Sequence, residues 1–339
     1  MKQHVFIFLA FFAGFSLSAG AQNLADQIDS QFKDVERVRV EGVFCDVTVE
    51  PGTTDEVLLE GEIRSARRVD DYSIETRLDG AELVVWVEHP RNMRGRVKGF
   101  LAFQAPRNVS FEVENVSGNI NMSDNAGAER LLKTVSGNIT VSGVEGETKT
   151  HSVSGIIKAS EVAGPLTAGS VSGDQHLSDI KGSLTVNSTS GNISIDMVEG
   201  YADINSTSGD VSGRNLLGGV AVKATSGEVQ LDIVREKMAV KTVSGDVTFS
   251  DVAGVLDVRT TSGDQKGTKI MFSGGSSFNA ISGDIYVDYD NVEGSLGFDL
   301  KSGSGDLSAG GVKSEEKLQK EGGEFTIKGS TTSGDQTFL

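Results

Sequence analysis

The chain has 339 residues, 42 of them Gly and only 4 Pro, with 6% aromatic residues and a formal net charge of -17. That acidity argues against nucleic acid as a partner, which needs a basic footprint, and against docking on an anionic lipid surface. Abundant Gly, Ser, Thr and Val with few aromatics suits short strands and tight turns better than a conventional globular core.

Residues 1–21 read as a secretory signal. Lys2 supplies the positive start, Val5 to Leu17 is apolar, and Ala19-Gly20-Ala21 is a small-residue cleavage pattern, so the mature chain is expected to begin at Gln22. The apolar run is shorter than the ~20 residues that span a bilayer, and no later segment is apolar enough to cross one. The implied address is the periplasm, the cell surface or the medium.

Residues 22–110 carry more charge and alternate in period two at Val38-Arg39-Val40, Val47-Thr48-Val49 and Leu83-Val84-Val85-Trp86-Val87. They are expected to form an irregular β cap over the first turn of the repeat region, with Arg91 to Lys98 as a basic loop. Cys45 is the sole cysteine, so no intramolecular disulfide can form, and its strand-like setting predicts a buried structural thiol.

Residues 111–339 form the second region, and a repeat governs it. Ser-Gly recurs from Ser117 to Ser333, and between Ser136 and Ser262 an 18-residue interval holds seven times running. With each Ser as position zero, apolar side chains fall at +3, +5, +8, +12 and +14. Val247, Phe249, Val252, Leu256 and Val258 show the pattern after Ser244. Spacing by two is a strand signature. The step from +5 to +8 and the frequent Gly at +10 mark a bend, and the Gly of each Ser-Gly pair marks a second corner. One unit cannot repay the ordering of its own backbone, but stacked units share a core and pair their backbones above and below. The predicted fold is all-β: a single-stranded parallel β-helix, or β-solenoid, with 18-residue rungs and an irregular β N-terminal cap. Its eleven intervals at ~4.8 Å predict a rod roughly 50 Å long. Position +16 is small or hydroxylated (Ser170, Ser188, Thr242), and position +2 is usually Asp or Asn, suited to satisfying turn amides. The C-terminal end, closing on Phe325-Thr326-Ile327 and Ser333-Gly334-Asp335, lacks an evident cap. An end-to-end homo-oligomer is the corresponding expectation.

The Ser-Gly-Asp/Asn rungs, the Val-x-Val segment from Val38 to Val49 and the Ala105-Pro106 strand together resemble the bacterial "putative adhesin" family of exported β-solenoids. The resemblance covers nearly all of the mature chain. It implies a solenoid fold and an adhesin-like role, and it brings no catalytic residues.

No motif for a nucleophile, a phosphate loop or a His-based metal site occurs, and no cofactor is expected. The Asp/Asn positions at +2 read as turn caps rather than Ca²⁺ ligands. His151 and His176 fall at outward positions on different surfaces. Two surfaces remain as binding candidates. Tyr286 and Tyr289 lie in the looser rungs near the C-terminus, the preferred location. Lys223, Lys241 and Arg259 follow Asn187 and Asn205 at +15, forming a polar stripe. The expected role is a non-catalytic, exported, adhesin-like protein that binds or organises an envelope protein or a glycan. The alternatives are a carbohydrate-active enzyme or sugar-binding module, and a periplasmic scaffold in envelope sensing.

Overall fold

The computed structural model describes residues 22–66, 69–93 and 95–339. The expected signal segment, residues 1–21, lies outside the described residues. Apart from the 3-10 turn Val69–Asp71, the regular structure among those residues is β, and its strands join one continuous hydrogen-bonded network.

Each rung supplies two strands. Ile193–Val198 and Ala202–Ser208 are followed by Val211–Leu216 and Val220–Ser226. Successive rungs pair in parallel one repeat apart, Ile193 opposite Val211 and Ala202 opposite Val220. Further on the two strands merge into Val229–Ser244 and Val247–Ser262. The inward set is the one the repeat predicts: Val247, Phe249, Val252, Leu256 and Val258 are all buried, and small Thr260 at +16 closes that face. The expected parallel β-solenoid is the fold.

The corners divide their labour more finely than the sequence suggests. The left-handed residue of the first bend is at +7, where Glu161, Asp179, Met197, Asn215, Ile233 and Asp251 have φ between 50° and 62°. Such a φ is costly for Met and Ile, so the hydrogen-bond ladders on either side must outweigh local preference. The Gly at +10 answers a different need. A Cβ on Gly254 would stand 1.5 Å from the Glu236 carbonyl oxygen of the rung beneath. At the Ser-Gly corner both demands coincide: Gly245 has φ 135°, and a Cβ there would meet the Gly227 oxygen at 2.1 Å.

The side chains at +2 cap turn amides as expected, and they do so between rungs. Asp246 Oδ1 accepts the Asp264 backbone N–H at 2.8 Å, and Asp264 Oδ1 accepts that of Asp284 at 2.9 Å. Asn138, Asp174, Asn192 and Asp210 do the same one rung at a time. The row of carboxylates is thus occupied in holding the corner.

Among the described residues, one cation enters the core. Arg130 is buried, and donates to Asn125 Oδ1 and Thr148 Oγ1 (both 2.9 Å) and to the Gly127 carbonyl (2.6 Å). Burial pushes its guanidinium down to about 10, with Glu145 acting in the opposite direction. Cys45 is also buried, and burial followed by the charge of Asp46 raises its thiol to about 12, which keeps it protonated and inert.

At the amino-terminal end, Arg37–Glu41 and Cys45–Pro51 form a parallel rung. It lies between Ser110–Asn115 with Ile120–Ser123 on one side and Glu82–Glu88 with Val97–Ala105 on the other. Antiparallel strands then cover this end: Ser73–Asp79 on Glu82–Glu88, Val57–Ser65 on Val97–Ala105, and Asn23–Phe32 on Val57–Ser65.

The C-terminal end corrects the expectation of a missing cap. The last strands in sequence, Phe325–Ser333 and Gln336–Phe338, are interposed in the stack. They pair on one side with Ser276–Ser282 and Ile285–Tyr289, and on the other with Leu296–Ser302 and Leu307–Ala309. The rung they displace to the outside is then covered by antiparallel Lys317–Lys320 and Val312–Ser314. Antiparallel cover blunts a parallel edge that would otherwise template further pairing. At this end chain order is not stacking order, and the repeat interval carries no record of the exchange.

Candidate functional site

The outward side chains of one strand per rung, at positions +13, +15 and +17, border an open groove of about 770 Å³. It crosses seven successive strands, from Glu129–Thr134 to the second half of Val229–Ser244. At ~4.8 Å per rung its length is about 29 Å. One side is formed at position +15 by His151, Gly169, Asn187, Asn205, Lys223 and Lys241. The other is formed at position +17 by Val171, Thr189, Thr207, Thr225 and Val243. Small Ser170, Ser188, Ser206 and Ala224 at +16 lie between them, so the trough follows from hydroxylated, short side chains at the taper of the core. At Gly169 a Cβ would stand 2.8 Å from His151 Nδ1, so this glycine makes room for the imidazole.

The electrostatics of the groove oppose those of the chain. The protein has 48 Asp and Glu against 31 Lys and Arg, yet the groove is bordered by Lys149, His151, Lys223 and Lys241 and by no carboxylate among the described residues. Most cations of this face are matched. Lys133 pairs with Glu114 at 2.8 Å and Lys149 with Glu147 at 2.7 Å. Arg259 makes two 3.0 Å hydrogen bonds to Asp257. Burial works to raise the Asp257 carboxyl, but the hydrogen bonds from Arg259 and Ser277 outweigh it and hold it below the usual carboxylate range. Lys223 and Lys241 have no such partner among the described residues. They are both exposed and stand opposite each other in register, with Arg259 next in the column.

The structure therefore brings together three of the five residues singled out from sequence. Lys223 and Lys241 border the groove, and Arg259 extends their column just beyond it. Tyr286 belongs to the other strand of its rung, opposite Lys266 and Thr337, and is 37% exposed. Tyr289 is partly buried, its ring 6.3 Å from Phe272 and 6.0 Å from Phe298, and burial followed by the charge of Glu293 raises its hydroxyl. Its role there is packing. The polar stripe was visible in the sequence, but its concavity was not. The usable signal was the absence of Asp and Glu from +15 and +17 between His151 and Val243.

A solenoid with two strands per rung, antiparallel covers at both ends and a cation-lined trough along one sheet is the class of protein these observations define. The sequence matches the Toastrack DUF4097 family over residues 45–215 and 203–338, and the chain belongs to that family. A search of curated proteins finds no match. Similar solved structures include a "putative lipid binding protein" from Parabacteroides distasonis, 14% identical over 91% of this chain and 96% of that one, with a TM-score of 0.32. A "putative adhesin" from Bacteroides fragilis is 10% identical over 92% and 97%, TM-score 0.29. A "putative cell adhesion protein" from Clostridium sporogenes is 9% identical over 92% and 98%, TM-score 0.20. At such scores these likenesses carry no argument about this chain. No helix among the described residues is long and apolar enough to cross a membrane.

Proposed function

We propose that this protein is a non-catalytic binding solenoid, exported by the signal at residues 1–21, that engages an elongated partner in the envelope or outside the cell through its groove. The observation that carries the reading is the unmatched Lys223–Lys241 pair inside a trough free of carboxylates, on an otherwise acidic chain. A fold gains nothing from like charges set directly opposite one another, so the pair points to a ligand. The same lining weakens the enzymatic alternative, because glycoside hydrolysis calls for two carboxyl groups flanking the bond and the groove presents none. The chain's rigid ladder of rungs suits presentation of a long surface.

The test is a glycan array probed with the mature protein and with an Asn187→Trp variant, whose indole would fill the middle of the trough. Circular dichroism establishes that both are folded. The reading expects binding by the first and its loss in the second. Binding that the tryptophan leaves unchanged would move the site off the groove.

A further inference from the structure

We infer that the groove takes a linear acidic polysaccharide, one bearing carboxylates along its length, held by Lys223 and Lys241 and read by the hydroxyl and amide ladders beside them. The inference rests on the groove being the binding surface, and adds the chemistry of what it binds.

Charge points to an anionic ligand. Lys223, Lys241 and Arg259 stack at successive rungs, about 4.8 Å apart. Of these, only Arg259 is neutralised from within, by Asp257. Asp203, the nearest acidic residue along the strand that carries Asn205, is half-buried and does not border the groove. At the far end stand His151 and Lys149, the latter already paired with Glu147. The groove thus offers an unneutralised cationic locus at one end and, about 19 Å away, four rungs from Lys223 to His151, an imidazole beside a lysine held by Glu147.

Between those ends the lining is neutral and periodic. Asn187 and Asn205 stand in register, as do Thr189, Thr207 and Thr225 along the opposite side. A donor and acceptor set repeated every rung suits a polymer whose hydroxyls also repeat.

Two features favour a polysaccharide over an acidic peptide. The strands that floor the groove are paired in parallel on both sides, so no free edge is available for strand addition. The lining also lacks the deep apolar pockets that anchor a peptide helix, since its side chains are mostly Thr, Ser, Asn and Lys. A neutral sugar is disfavoured by the absence of Trp, Tyr and Phe among the lining residues, which leaves no broad stacking platform.

The experiment is titration calorimetry of the mature protein with oligogalacturonate, neutral dextran oligomers and poly-glutamate of matched length. Each probe is repeated with the Lys223→Gln/Lys241→Gln double variant and with Asn187→Trp. Oligogalacturonate is expected to bind more tightly than the other two probes and to weaken as salt rises. The double variant should lose about tenfold in affinity, as expected for two exposed ion pairs. Poly-glutamate binding as tightly with the same lysine dependence would overturn the polysaccharide assignment. Dextran binding that is abolished by Asn187→Trp but indifferent to the lysines would overturn the acidic ligand while leaving the groove as the site. Oligogalacturonate binding that neither variant changes would overturn both.

Discussion

Lys223 stands directly opposite Lys241 in the parallel ladder between Val220–Ser226 and the second half of Val229–Ser244, with Lys241 in turn opposite Arg259. Opposite charges at such pairs stabilise a sheet and like charges destabilise it. Lys241→Glu converts the column to alternating sign. The variant is expected to melt about 1–2 °C higher than the parent while losing oligogalacturonate binding. Scanning calorimetry with a parallel binding assay checks both, and a lower melting temperature would mean that the lysine ladder has a structural role.

Asp257 sets the boundary of the cationic column by neutralising Arg259. Asp257→Ala is expected to lengthen the locus to three free cations and to raise oligogalacturonate affinity about threefold, an effect of one exposed pair. The same residue gives a pH signature. Its carboxyl is held below its ordinary value of 3.8 in the folded protein, so the stability it contributes is present above that value and lost as pH falls through the lower folded one. The difference in thermal stability between parent and Asp257→Ala should therefore shrink on acidification below about 3.8.

Glycine at the Ser-Gly corner is required by contact as well as by φ. Gly245→Ala would drive a methyl to 2.1 Å from the Gly227 oxygen, and backbone must move to accept it. A loss of about 3 kcal/mol or more is expected. Gly80 has φ 62° and open space where a Cβ would go, so Gly80→Ala should cost only about 1 kcal/mol. Urea titration of the two variants separates contact from conformation.

The interposed C-terminal strands predict an unusual truncation phenotype. Removing residues 323–339 takes one of two partner strands from both Ser276–Ser282 and Leu296–Ser302, and leaves Asp284 Oδ1 without the Asp335 amide. Residues 285–320 should then become protease-sensitive as a block, while the rungs up to about Ser262 persist because a solenoid is stabilised by nearest neighbours. Limited proteolysis followed by mass spectrometry reads the boundary. Trimming confined to a few terminal residues would contradict the interposed order.

The regular rungs were legible because the side-chain period of a strand and the 18-residue interval fix both register and facing, as Val247 to Val258 illustrate. The left-handed residue at +7 was not, since Met197 and Ile233 carry no sign of it: the conformation is imposed by the ladders around them. Stacking order at the ends was hidden for a related reason. Direct pairing of Phe325–Ser333 with Ser276–Ser282, ahead of the rung that precedes it in sequence, is a tertiary choice that leaves no periodic trace. Of the candidate site, the charges at Lys223 and Lys241 could be read in advance. The trough beside them depends on short side chains at +16 lying between two outward rows, a relief that a run of residue types does not display.

Binding in the groove through Lys223 and Lys241 is tested most directly, residue by residue, by lysine acetylation footprinting. With oligogalacturonate present, the reactivity of Lys223 and Lys241 should fall severalfold, while Lys158 and Lys266, on the other strand of their rungs, remain unchanged. Equal reactivity of the groove lysines with and without the ligand, under conditions where calorimetry shows it bound, would contradict binding at this site.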